Sequence, residues 1–313
     1  MTHTVPHVFF HSEPDSADDW REALAPHFET LRFSVDGACA DPASVDVALV
    51  WKLPPQGLDA FTRLRAVQSL HAGVNHLDMR RIPAGLPIAR LVDPSLGRYM
   101  VEYAKAAVYR YHRRFHKFER LSREGVWRFS QPTLAGTTSI GVLGLGVLGS
   151  EIASSLHGEG FDVFGWSRAP RTIEGIRTYA GAQGLREMVA RSRIVINVLP
   201  LTDATRHVLS QDLFDCCQRR TFLINIGRGD HLVEPDLLSA LERGQIEAAT
   251  LDVAAIEPLP PDHAFWNHPA ILLTPHVAGS STPALAAAQV AENIRRALAG
   301  KPLLQQIDRA KGY

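Results

Sequence analysis

The sequence is poor in cysteine, carries no excess charge of either sign and has no long apolar run, and each shortage removes a class of protein. Its three cysteines are Cys39, Cys216 and Cys217. They are too few for a disulfide framework, and the adjacent pair lacks zinc-ligand spacing, so they read as buried or inert thiols and no metal is expected. Lys plus Arg total 33 and Asp plus Glu total 33. No net field therefore draws the protein to nucleic acid or to a membrane surface, which leaves a small molecule as the expected partner. No segment approaches the ~20 apolar residues of a transmembrane helix. Near the N-terminus only Val8, Phe9 and Phe10 form an apolar run before charge and Pro14 intervene. That is shorter than the apolar centre of a secretory signal, so a cytoplasmic protein is expected.

The remaining composition is that of a globular chain, with 45% hydrophobic and 21% charged residues. A length of 313 residues exceeds what one compact core usually holds, so two domains are expected. Strand candidates in the first hundred residues are His7–Phe10, Val45–Leu53, Ala66–His71 and Pro87–Leu91, separated by helix-like segments such as Ala17–Phe28. A second series is clearer: Thr138–Leu145, Phe161–Ser167, Ile194–Leu199, Thr221–Ile226, Ala248–Val253 and Ile271–Thr274. These runs show little alternation, as expected for parallel strands buried on both faces. A turn containing Asp93-Pro94 separates the two series, and a long helix is expected from about Arg98 to Leu121. Thr282-Pro283 starts a helix that runs to Gly300 and returns the chain to the first domain. The expected architecture is α/β: a Rossmann doubly wound domain, 97–281, inserted into a discontinuous flavodoxin-like α/β substrate domain, 1–96 plus 282–313.

Gly144, Gly146 and Gly149 form a GxGxxG at the end of a strand and the start of a helix, the context that gives this motif meaning. Gly144 permits the turn, Gly146 lets the backbone approach a pyrophosphate, and Gly149 allows close packing. The helix start at Val147 and Leu148 supplies amide donors. An NAD enzyme normally has Asp or Glu at the end of the next strand, to accept from the ribose. Here Asp162 stands at that strand's beginning, and its end offers Ser167, Arg168 and Arg171. A hydroxyl and two cations suit a 2′-phosphate, so NADPH is expected, with NADH weaker.

Three further segments each end a strand with a polar residue: Arg228 after Asn225-Ile226-Gly227, Glu257 in a proline-bounded loop, and His276 after Thr274-Pro275. Singly, each has a bland reading as a surface charge, a solvated carboxylate or a structural histidine. Together, after a cofactor fingerprint, they suit ketone reduction. A histidine protonates the developing alkoxide, a carboxylate stabilises the imidazolium, and an arginine fork holds a substrate carboxylate.

These segments resemble those of the D-2-hydroxyacid dehydrogenase family, over nearly the whole chain. The resemblance is carried by GVLGLGVLGS, INIGRG, LDVAAIEPLP, FWNHPAILLTPHVAG and SLHAGVNHL. It implies Arg228 for substrate binding, Glu257 and His276 as the acid–base pair, and Gly73 and Val74 as backbone donors to the substrate carboxylate. It also implies Asp252 near the nicotinamide carboxamide, Trp266 near the substrate, and Leu199, Pro200, Ile226, Gly227 and Ala278 along the cofactor. Within the family, Ala48–Trp51, Met100–Ala104 and Trp166–Arg168 are most similar to the glyoxylate/hydroxypyruvate reductase A branch. That likeness implies an NADPH-preferring homodimer with Trp51 near the substrate, although Trp51 can equally be read as a core indole. Ala254 and Ala255 stand where a bulkier Phe is common, and Phe265 where Leu is usual. Two other readings stay open: a cofactor-binding redox sensor or corepressor of the same fold, and an NAD-linked dehydrogenase running oxidatively.

Overall fold

A computed structural model of the chain describes residues 5–71, 73–74, 77–91, 95–279 and 282–309. The Asp93-Pro94 turn lies outside the described residues. The chain divides into two compact units, Met1–Leu96 with Ser280–Tyr313, and Gly97–Gly279.

The first unit holds β1 (His7–His11), α1 (Ala17–Leu24), β2 (Arg32–Val35), β3 (Val47–Val50), β4 (Ala66–Ser69) and β5 (Ile88–Ala89). The second contains α2 (Leu96–His112, whose first residue belongs to the first unit), α3 (Phe115–Arg123), β6 (Ser139–Leu143), α4 (Val147–Gly158), β7 (Asp162–Ser167) and β8 (Arg177–Ala180). It continues with α5 (Gly181–Arg191), β9 (Ile194–Asn197), α6 (Gln211–Phe214), β10 (Thr221–Asn225), α7 (Glu234–Glu242), β11 (Ile246–Leu251) and β12 (Ile271–Leu273). The closing helix, α8 (Pro283–Leu298), is part of the first unit.

Strand order in the first unit is β2-β1-β3-β4-β5, all parallel. This is the flavodoxin-like arrangement. The second sheet runs β12-β11-β10-β9-β6-β7-β8, also parallel throughout. Its order reverses between β6 and β9, and at such a point the carboxyl ends of the strands open a ligand crevice.

The apolar runs are explained by burial on both faces. In β9, Ile194 and Ile196 join α2 and α4 residues such as Val108 and Ile152, while Val195 joins Met188 of α5 and Leu237 of α7. In the first unit Val8 and Phe10 pack with Trp20, Leu24 and Ile294, and Phe9 packs on the opposite face with Val50 and Val67.

Two differences from the sequence reading have physical causes. The long helix expected through Leu121 breaks into α2 and α3, because Arg114 adopts a left-handed conformation at φ 62°. Strands β2 and β8 were not expected. Both are partly exposed edge strands, with sequences Arg-Phe-Ser-Val and Arg-Thr-Tyr-Ala, so they lack the apolar signature of the central strands.

Helix α8 docks through a polar clamp as well as its alanines. Buried Asn293 donates to the Gln68 Oε1 at 2.8 Å and to the Leu304 carbonyl, and its Oδ1 accepts from the Leu304 N–H at 2.7 Å. Asn293→Ala should strand these partners and cost roughly 1–3 kcal/mol. A lowered urea midpoint with an unchanged slope is the expected result, and an unchanged midpoint would contradict the clamp.

Candidate active site

The turn after β6 has the form of a phosphate cradle. Gly144 sits at φ +103°, a conformation that favours glycine, and its N–H donates to the Trp166 carbonyl at 2.8 Å. A Cβ on Gly149 would lie 1.7 Å from the Gly144 carbonyl oxygen, so only glycine lets α4 start this close to the turn. A Cβ on Gly146 would meet nothing within 4 Å, and no side chain caps α4. The first amides of the helix, at Val147 and Leu148, thus stand beside open space at Gly146, at the positive end of the helix dipole. The residues present fit a dinucleotide pyrophosphate. Leu199, just past β9, packs on Gly144, which sets the far wall of the cradle at the switch point.

At the end of β7, Ser167 is half-buried and donates to the Ala169 carbonyl at 2.7 Å. Arg168 and Arg171 are exposed. Asp162 is at the start of the strand, six residues' length from this group.

The candidate catalytic side chains all come from turns at the carboxyl edge of the same sheet. After β12, the Thr274–Ala278 loop turns sharply, with His276 left-handed at φ 57°. That strained conformation is held from below by Asp252, at the end of β11. The Asp252 carbonyl accepts from the His276 N–H at 2.7 Å. Its carboxylate accepts from the Thr274 hydroxyl at 2.6 Å and from the N–H groups of Val277 and Ala278, each at 2.8 Å. Tyr103 in α2 completes the chain by donating to the Thr274 hydroxyl at 2.5 Å. Burial pushes the Tyr103 hydroxyl up to about 12, so it stays protonated. Burial also pushes the Asp252 carboxyl up, against the hydrogen bonds that favour its charged form.

His276 Nδ1 lies 2.8 Å from Glu257 Oε2. Glu257 is oriented in turn by its Oε1, which accepts from the Ala254 N–H at 3.0 Å. Partial burial raises the Glu257 pKa, but the hydrogen bonds from His276 and Ala254, with the charges of His276 and Arg228, outweigh it and hold the carboxyl below its usual range. Nδ1 is committed to Glu257, so Nε2 is the ring nitrogen on the side away from that carboxylate. The guanidinium of Arg228 is mostly buried, and burial lowers its pKa while Glu257 opposes the shift. It remains a cation. Gly229 brings Arg228 to this place, because its Cα packs directly on the Ala254–Ala255 peptide.

Beneath Arg228 lies a set of buried side chains that the motifs do not announce. Asn197 Nδ2 donates to Asn225 Oδ1 at 2.9 Å and to His231 Nδ1 at 2.9 Å, and Asn197 Oδ1 accepts from the Leu199 N–H. Asn225 Oδ1 also accepts from the Gly227 N–H, and its Nδ2 donates to the Arg228 carbonyl at 3.2 Å. The available signal is a polar residue ending an apolar strand, as in Ile194-Val195-Ile196-Asn197.

Among the other residues singled out, Ile226, Gly227 and Ala278 are buried beside these turns, and Pro200 is exposed. Trp266 is half exposed, with its indole N–H donating to the Pro260 carbonyl at 2.8 Å. Trp51, Gly73 and Val74 belong to the first unit, where they follow β3 and β4 at the carboxyl edge of that sheet. Trp51 is partly buried, with the Lys52 ammonium 4.1 Å from its ring centroid. Val74 is buried in the core there. Among the described residues no cluster of His, Cys, Asp and Glu could hold a metal ion, and no helix is long and apolar enough to cross a membrane.

A family model described as D-isomer specific 2-hydroxyacid dehydrogenase, NAD binding domain, matches residues 106–278. Glyoxylate/hydroxypyruvate reductase A of Serratia proteamaculans is 39% identical over 98% of both chains. The protein of the same name from Yersinia enterocolitica is 38% identical, over 98% of this chain and 99% of its own. Among solved structures, a D-isomer specific 2-hydroxyacid dehydrogenase of Xanthobacter autotrophicus in complex with NADPH and MES is 38% identical. It superposes with a TM-score of 0.88 over 99% of this chain and 100% of its own. An NADPH-dependent glyoxylate/hydroxypyruvate reductase of Sinorhizobium meliloti in complex with NADP and sulfate is 34% identical, with a TM-score of 0.87 over 99% and 100%. The chain belongs to the D-isomer specific 2-hydroxyacid dehydrogenase family, in the branch of the glyoxylate/hydroxypyruvate reductases A.

Proposed function

We propose that this chain reduces small 2-keto acids of the glyoxylate and hydroxypyruvate type with NADPH, as a cytoplasmic homodimer. The observation that carries the reading is the His276–Glu257 pair at 2.8 Å with the Arg228 guanidinium within electrostatic range, all at the sheet edge that bears the GxGxxG turn. The names of the relatives and the nucleotides in their structures support the same substrate and cofactor.

When bound, NADPH supplies a hydride to the carbonyl carbon of the substrate. Arg228 holds the substrate carboxylate through its planar fork and polarises the neighbouring carbonyl. Trp266, in the same unit as Arg228, bounds the substrate. His276 Nε2 gives its proton to the developing alkoxide, and Glu257 stabilises the ring while it carries charge. Asp252 keeps the histidine loop in register. Ser167, Arg168 and Arg171 receive the 2′-phosphate. Leu199, Pro200, Ile226, Gly227 and Ala278 line the remainder of the cofactor. The dimer is supported by the segment after α3, where Trp127, Phe129 and Leu134 are 101%, 79% and 82% exposed, an apolar surface suited to a second copy.

A spectrophotometric panel of 2-keto acids with each cofactor tests the reading. NADPH oxidation that depends on glyoxylate or hydroxypyruvate is expected. NADPH binding without turnover on any keto acid would favour a cofactor-sensing protein instead. His276→Ala should lower kcat by roughly 10²–10⁴-fold with NADPH binding preserved. Retention of near-normal kcat would remove His276 from the mechanism.

The acid side of the pH profile tests the pair. Glu257 stabilises the charged ring only while its carboxylate is ionised, and its pKa is held below the usual carboxyl range. Activity should therefore persist as pH falls through the usual carboxylate range, and it should be lost only below it. Glu257→Gln should remove that acid limb and lower kcat at neutral pH. An unchanged kcat and acid limb in Glu257→Gln would contradict the pairing.

Cofactor choice is tested by Arg168→Ala. Losing one charge-assisted bond of roughly 1.5–3 kcal/mol should lower kcat/KM for NADPH by about 10- to 150-fold. Efficiency with NADH should hardly change, since NADH has no 2′-phosphate to lose. An equal fall with both cofactors would place Arg168 elsewhere.

A further inference from the structure

His231 follows the catalytic arginine turn and is wholly buried, yet nothing in the reaction requires a second histidine. Its ring has an unusual set of partners. Nδ1 receives two donors, the Arg228 N–H at 3.1 Å and the Asn197 amide at 2.9 Å. An atom that accepts twice carries no proton, so the proton is on Nε2. Nε2 then donates to the Pro200 carbonyl, 3.3 Å away.

The ring therefore lies between two turns of separate strands. One, after β10, presents Arg228. The other, after β9, is the Leu199–Pro200 segment. The space is filled: a Cβ on Gly227 would lie 2.8 Å from Asn197 Nδ2 and 3.0 Å from His231 Nδ1. Few side chains offer a fixed acceptor on one side and a fixed donor on the other across a rigid plane, and a neutral imidazole does. Neutrality is enforced by the setting. Burial first, and the Arg228 charge with it, pull the His231 pKa down to about 4, against the Pro200 and Arg228 backbone hydrogen bonds and the Asp230 charge.

We propose that His231 is a positioning residue that couples the two binding halves of the site, setting Arg228 for the substrate carboxylate through Nδ1 and Pro200 for the nicotinamide nucleotide through Nε2. This rests on the assignment of Arg228 and the Leu199–Pro200 turn in the proposed function. The two halves are separable, because amide side chains mimic one nitrogen each. In His231→Asn, Oδ1 takes the place of Nδ1, and nothing reaches Pro200. In His231→Gln, the longer amide can donate to Pro200, and the acceptor beneath Arg228 is lost.

The test measures the KM for glyoxylate and, separately, the NADPH dissociation constant by tryptophan fluorescence quenching, in folded wild type and both variants. His231→Asn should keep the glyoxylate KM and weaken NADPH by roughly 3- to 10-fold, the worth of one hydrogen bond. His231→Gln should show the reverse, with a similar rise in glyoxylate KM and normal NADPH binding. If both constants worsen together in both variants, the residue is merely structural and the proposal fails. It fails equally if neither constant moves. A wild type that binds NADPH but reduces no keto acid would overturn the functional reading instead, and the NADPH titrations would still decide whether Nε2 sets Pro200.

Discussion

Gly229 packs against the Ala254–Ala255 peptide so closely that a Cβ would lie 1.9 Å from the Ala254 carbonyl carbon. No side chain of any kind fits between these backbones. The turn that bears Arg228 is thereby pressed onto the loop that leads to Glu257, and the Ala254 N–H is left to orient the Glu257 carboxylate. Glu257 orients His276, and Asp252 secures the histidine loop from the other side. The proposed acid–base pair and the proposed anion anchor thus depend on one glycine contact between the turns of adjacent strands.

Stability and chemistry are assigned to different groups at this edge. The side chains of His276 and Glu257 are 40% and 33% exposed. An ion pair so open to water is worth only about 0–1 kcal/mol to folding, so its geometry matters little for stability and bears instead on the proposed proton transfer. The groups that hold the site together are hydrogen-bonded and mostly buried: Asp252 with the partly buried Thr274 and Tyr103, and Asn197 with Asn225 and His231. Removing a member of either set would strand buried partners, which costs more than breaking the exposed pair.

Much of this was legible in the residues, for reasons that also explain the gaps. Strands such as Ile140–Leu143 and Phe222–Ile224 are apolar on both faces and therefore stand out, and the turns that follow them carry the motifs. GxGxxG was readable because it joins a strand to a helix, where Gly144 and Gly149 meet separate steric demands. Strands β2 and β8 escaped because an edge strand needs no apolar run. The break between α2 and α3 escaped because Arg114 is left-handed without being glycine. The polar set beneath Arg228 escaped for another reason. Asn197 and His231 are distant in sequence and become a network only when β9 and β10 pair.

Hydride transfer to a keto acid is the central claim, and isotope transfer tests it most directly. NADPH deuterated at its transferable ring position would be incubated with glyoxylate and the wild-type protein. The account expects glycolate with deuterium on the hydroxyl-bearing carbon, formed in step with NADPH loss. Glycolate without deuterium, or NADPH loss without glycolate, would contradict it.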